Sequence, residues 1–187
     1  LVAQNTLGVK DIMNVTPDFL EEQFDCVFND IFPDALKIGM VSETELIHTI
    51  VKKLKQYHAR HIVVDPVMVS TSGSRLIEDS ALDALKYELI PLSEIIIPNI
   101  QEAEVINGKK IKSKEDMIRA AQDIRQWYQG DILIKGGHFE DRADDLLYHN
   151  NEKIWLECEH IDNPNTHGTG CTLSSAIASH LASGYDM

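Results

Sequence analysis

Basic residues are scarce in this 187-residue chain: 17 Lys and Arg stand against 30 Asp and Glu, a formal net charge of −13 at pH 7 and a pI near 4.9. Binding to a phosphate backbone draws on clustered cations, so this balance argues against a nucleic-acid binder and against an anionic membrane surface. Cysteines are few as well. Cys26, Cys158 and Cys171 are far apart and form no Cys-x-x-Cys pair, so neither a disulfide framework nor a zinc site is indicated, and a reducing cytosol fits best. No apolar run approaches the roughly 18 residues that span a bilayer, and no basic segment followed by an apolar one opens the chain. Gly-x-Gly-x-x-Gly and Gly-x-x-x-x-Gly-Lys-Ser/Thr are both absent, which disfavours Rossmann dinucleotide and P-loop chemistry.

What is present is an ordinary globular composition, 43% hydrophobic and 25% charged, in a chain long enough for one domain with a full core. Short β-rich runs alternate with longer helical patterns, the signature of a parallel sheet covered by helices. Thr16-Pro17 is a cap and first-turn proline opening a helix whose Phe19, Leu20, Phe24, Val27, Phe28 and Ile31 are expected in the core. Residues 35–40 read as a strand, and Ser42-x-x-Glu45 as a capping box for a helix through Leu54. Strands are expected at 61–65, 94–98 and 131–135, helices at 79–89, 102–106 and from Ser113 to about Tyr128. Asn107-Gly108 reads as a left-handed helix end, and Asn150-Asn151 as the turn of an antiparallel hairpin. A polar loop, 162–169, then leads to a small-residue helix from Gly170 to about Ala182.

Ligands of open parallel sheets bind beyond the carboxyl ends of the strands. Those positions hold Gly39-Met40, Asp65-Pro66, Asn99 with Glu102, Lys135-Gly136-Gly137-His138, and His167-Gly168-Thr169-Gly170-Cys171. Glycines ahead of a helix let the backbone approach an anion, and the helix N-terminus supplies positive potential, so a phosphoryl group is the expected guest of the last cluster. The alternative is that Gly168, Thr169 and Gly170 form a plain turn and Cys171 packs as a small hydrophobe. In the first turn of a helix Cys171 could also act as base or nucleophile. Asp65 and Glu102 suit Mg²⁺, which needs only one or two carboxylates, against the alternatives of a turn cap and a solvated helix face. Lys135 either points its charge at phosphates or is an exposed strand terminus. His138, His167 and the other six histidines lack the spacing of a metal cluster.

At these strand ends the sequence resembles the hydroxymethylpyrimidine and phosphomethylpyrimidine kinases of thiamine biosynthesis, in the ribokinase-like superfamily. The resemblance runs from Ala3-Gln4-Asn5-Thr6 through Lys37-Ile38-Gly39-Met40, Val63-Val64-Asp65-Pro66-Val67-Met68, Thr71-Ser72-Gly73-Ser74 and Pro98-Asn99-x-x-Glu102. It continues through Lys135-Gly136-Gly137-His138 to Asn165-Thr166-His167-Gly168-Thr169-Gly170-Cys171-Thr172. It implies a three-layer α/β/α fold with a mostly parallel central sheet, and transfer of the ATP γ-phosphoryl group to the pyrimidine hydroxymethyl group and then to its monophosphate, by a cytoplasmic homodimer. Gly168, Thr169 and Gly170 would be the anion hole, Cys171 the base and Lys135 a stabiliser of phosphate charge. Asn99, Glu102, Lys135, His138, His167 and Thr169 would meet the nucleotide, with Asp65 and Glu102 on Mg²⁺. Gln4 would bond the pyrimidine, and Met40 and Val67 would line its pocket. The family's Gly-rich opening segment and the helices beyond the Gly170 helix are not in the sequence. Residues 1–187 are therefore expected to be one incomplete domain, lacking its first strand and last helices. The alternatives are a pyridoxal kinase and a non-catalytic ligand-binding remnant.

Overall fold

An element without a clear sequence signal comes first. In the computed structural model, which describes residues 1–5, 8–68, 77, 79–137, 143–157, 159 and 168–186, Val2–Asn5 (β1) and Gly8–Ile12 (β2) pair antiparallel as a separate two-stranded sheet. The main sheet holds Leu36–Ile38 (β3), Ile62–Val64 (β4), Ile95–Ile96 (β5), Asp131–Ile134 (β6), Asp145–His149 (β7) and Glu152–Leu156 (β8), adjacent in that order. The first four run parallel and the last two antiparallel. Asn150 and Asn151, both at positive φ, make the tight turn between β7 and β8.

Parallel neighbours joined in chain order by right-handed crossovers put all their connecting helices on one face. That face is covered by Thr44–Gln56 (α2), Asp79–Ala84 (α3), Ile100–Asn107 (α4) and Lys114–Arg125 (α5), while Pro17–Asp30 (α1) packs on α2. A π-turn, Leu85–Leu89, and a 3₁₀ turn, Ile90–Leu92, follow α3. The main core lies beneath these helices, where Ile38, Val64, Ile96, Ile132 and Ile134 point. Alternate residues Val63, Ile95, Ile97 and Leu133 point the other way, under Thr169–Ala182 (α6), with Ala178 and Leu181. The β5 run is therefore apolar on both faces, and the fold is the expected three-layer α/β/α arrangement. Among the described residues no helix is long and apolar enough to cross a membrane.

Two local expectations fail. The α1 stripe is not core: Phe28 is buried, but Phe19 is 50% and Ile31 76% exposed. Because α1 packs on another helix rather than on the sheet, one narrow seam suffices, with Phe28 stacked on Tyr57 at 4.7 Å. Nor does Ser42 cap α2; the helix starts one residue later, with Glu43 at the N-cap and no side-chain cap bond. Ser113 and Thr16 do cap their helices, and Gly108 ends α4 at φ 72°.

Candidate active site

Strand order decides what meets at the polar end of the sheet. Lys37 stands on β3, Asp65 follows β4, Asn99 and Glu102 follow β5, and Lys135 follows β6, so four adjacent strands each deliver at least one polar group. Asp65 is their centre. It is 1% exposed, and its Oδ1 accepts a 2.9 Å hydrogen bond from Lys135 Nζ. Its Oδ2 accepts from Ser174 Oγ of α6 at 3.1 Å, and Lys37 Nζ stands 3.8 Å from the same oxygen. Asp65 is thus no simple turn cap, and Lys135 no exposed strand terminus.

Asn99 and Glu102 close a reciprocal capping box on α4. Asn99 N–H donates to Glu102 Oε2 and Glu102 N–H to Asn99 Oδ1, both at 2.8 Å. The box holds Glu102 inward rather than on a solvated face, with 2% of it exposed. Burial pushes its carboxyl up to about 7, against the opposing pull of the Asn99 amide and the Lys135 charge. A backbone bridge between Asn99 and Lys135 and the bond from Lys135 N–H to Pro98 O, 2.9 Å, fix the two motifs side by side.

The N-terminus of α6 sits directly over this cluster. Gly168 occupies its N-cap at φ 89°, a conformation only glycine adopts without strain, and the first helical bond is Thr172 N–H to Gly168 O. The amides of Gly170 and Cys171 therefore precede the helix's own ladder. A methyl group at Gly170 would stand 3.1 Å from Lys135 Nζ, so the glycine is what lets the ammonium lie under the helix end. Cys171 is exposed, with a free thiol. Field and geometry together favour an anion here.

Met40 and Val67 lie half-buried just beyond β3 and β4. Gln4 is exposed on β1, in the separate hairpin. His138, His167, Cys158, the Thr71–Ser74 and Asn165–Thr166 motifs and most of the 162–169 loop lie outside the described residues. Sequence reasoning missed Lys37 and Ser174. The first precedes the strand end, and the second lies one helical turn after Gly170. It also missed Asp144 and Asp145, because β7 is antiparallel and begins where β6 ends. Asp145 accepts from Gly136 N–H at 2.8 Å and its carboxyl is raised by burial; Asp144, 1% exposed, takes a 2.6 Å bond from Lys114. Asp144 also holds its backbone oxygen 1.8 Å from where a Gly136 Cβ would stand.

The family model described as phosphomethylpyrimidine kinase matches residues 1–187 in full. The chain belongs to that family. It is 43% identical over 185 residues to the thiamine biosynthesis bifunctional protein ThiED of Geobacter sulfurreducens, covering 98% of this chain and 38% of that one. It is 40% identical to a hydroxymethylpyrimidine/phosphomethylpyrimidine kinase of Staphylococcus aureus, covering 98% of this chain and 68% of the relative. Among solved structures, the phosphomethylpyrimidine kinase of Clostridium difficile aligns over 100% of this chain and 76% of its own, with TM-score 0.84 and 44% identity. An ADP complex of Bacillus subtilis pyridoxal kinase aligns over 97% of this chain and 69% of its own, with TM-score 0.87 and 33% identity.

Proposed function

We propose that the full-length protein is an ATP-dependent kinase of thiamine biosynthesis that phosphorylates hydroxymethylpyrimidine and then its monophosphate. The observation that carries this is the convergence of Lys135 and a glycine-started helix N-terminus over the buried Asp65 carboxylate. Phosphoryl transfer asks little covalent chemistry of a protein beyond placing the reactants in line and neutralising charge. Here the amides that open α6 and the Lys135 ammonium receive the charge that develops on the transferring group and on the departing ADP. Cys171, the third residue of α6, takes the hydroxyl proton of the acceptor as its oxygen bonds to the γ-phosphorus. Met40 and Val67 line the acceptor pocket.

Asp65 and Glu102 form a donor set that suits Mg²⁺. The Lys135 charge pulls the Glu102 carboxyl down and the Asp65 charge pushes it up, so a further cation beside both carboxylates would favour the charged form of Glu102. When bound, the ion supplies charge neutralisation to the triphosphate. His138, His167 and Thr169 complete the nucleotide side in this proposal, Gln4 the acceptor side, and a cytoplasmic homodimer the assembly.

Pyridoxal is the second acceptor to weigh, because a pyridoxal kinase shares the fold at TM-score 0.87. Steady-state ADP release with each acceptor tests the proposal. Hydroxymethylpyrimidine should have the higher kcat/KM. A preference for pyridoxal replaces the substrate, and no turnover of either overturns the reading.

A further inference from the structure

Among the described residues, Lys37 meets Asp65 by charge alone. At 3.8 Å it balances the Asp65 charge without hydrogen-bonding it, since that carboxylate already takes Lys135 at 2.9 Å and Ser174 at 3.1 Å. Among the described residues its ammonium makes no hydrogen bond, and its side chain is only 19% exposed. It also lies close to the backbone: a methyl on Gly39 would stand 2.6 Å from Lys37 Nζ and would push the ammonium aside. Two lysines thus reach toward the Asp65 carboxylate, and of the two only Lys135 hydrogen-bonds it. Lys135 approaches Asp65 Oδ1 from β6; Lys37 approaches Oδ2 from β3, three residues before Met40 in the chain.

The two proposed transfers make different demands on that second cation. An alcohol acceptor is neutral and brings a proton that a base must take. A phosphomonoester at neutral pH is mostly a dianion, with a second pKa near 6. Its oxygen bonds to the γ-phosphorus while the bond from that phosphorus to the bridging oxygen breaks, and ADP leaves with the electron pair. No proton moves, but two anions must be brought into contact, and the cation that offsets their repulsion must lie on the acceptor side.

We propose that Lys37 is that cation: it receives the acceptor's phosphate, so the second phosphorylation depends on Lys37 while the first depends on Cys171. This rests on the functional reading above. The test is kcat/KM for both acceptors in the full-length protein, at pH 7.5, for wild type, Lys37→Met, Lys37→Arg and Cys171→Ala. Lys37→Met should lower kcat/KM for the monophosphate by about 10- to 100-fold, the worth of one charge-assisted hydrogen bond, and change that for the alcohol several-fold at most. Lys37→Arg should recover part of the loss, and Cys171→Ala should show the opposite split. Gly39→Ala, which displaces the ammonium without removing it, should fall between wild type and Lys37→Met on the monophosphate. Lys37→Met keeps the buried carboxylate paired by Lys135 and Ser174, so an unchanged thermal midpoint is expected. Equal losses on both acceptors, with wild type active on both, would overturn the Lys37 assignment alone. A wild type inactive on both overturns the functional reading and this inference with it.

Discussion

Replacing Glu102 by Gln removes one titration while keeping the shape of the side chain and its bond from the Asn99 amide. The folded carboxyl titrates at about 7 and the unfolded one near 4.5, so the folded state binds the proton more tightly. The stability due to the neutral carboxyl is fully present below pH 4.5 and is lost as pH rises through 7. The interval of about 2.5 units corresponds to roughly 3 kcal/mol, most of which falls between pH 5 and 8. Wild type and Glu102→Gln should therefore be unfolded in urea at pH 5, 6, 7 and 8, without Mg²⁺ or nucleotide. The amide cannot accept as many bonds as a carboxylate, which adds an offset of about 1 kcal/mol at every pH. Over the series the Gln variant should gain about 2–3 kcal/mol on wild type. A difference constant to within about 0.5 kcal/mol would mean that Glu102 is solvated or already charge-compensated, and the burial argument would fail.

Mg²⁺ with a nucleotide should expel the Glu102 proton: at pH 7 about half a proton should be released on binding, and almost none at pH 9 or in Glu102→Gln, read by calorimetry in two buffers of different ionisation enthalpy. Gly136→Ala should be insoluble or destabilised by more than about 4 kcal/mol, since its Cβ would overlap the Asp144 carbonyl, whereas Gly137→Ala, whose Cβ meets no atom of the described residues within 4 Å, should stay within about 0.5 kcal/mol of wild type. Gly168→Ala should cost about 1–2 kcal/mol in thermal or urea melts from its left-handed backbone and should weaken nucleotide binding in the same protein. Lys135→Met should lower kcat about 10²- to 10³-fold with both acceptors; a loss confined to one acceptor would move its role away from the transferring group.

How much of this could be read from the residues alone differs by element. Where local chemistry decides, reading worked: Asn107-Gly108 and Asn150-Asn151 were legible by their turns, and Ile95-Ile96-Ile97 by its unbroken apolar run. It failed where a partner decides. The periodicity of α1 is real, but nothing in its sequence says that its neighbour is another helix and not the sheet, so the exposure of Phe19 was unreadable. Ser42 has the spacing of a capping box, yet the chain enters α2 at Glu43. At the site, inspecting only residues after strands finds Asp65 and Lys135. It cannot find Asp144 and Asp145, which precede an antiparallel strand, nor Lys37, whose role appears only once Asp65 is known to be buried within its reach.

The bond from Ser174 to Asp65 joins residues 109 positions apart, and that from Lys135 to Asp65 residues 70 apart. A chain made from its N-terminus exposes β3 to β6 first, so the Lys135–Asp65 pair can form while α6 is still unmade. Ser174 then supplies the last donor to a carboxylate already seated, and α6 brings the anion site with it as it docks on β3 and β4. The polar end of the sheet is thus completed last, when loop closure is longest, and a growing or nicked chain holds a well-formed sheet well before it holds a site able to grip an anion.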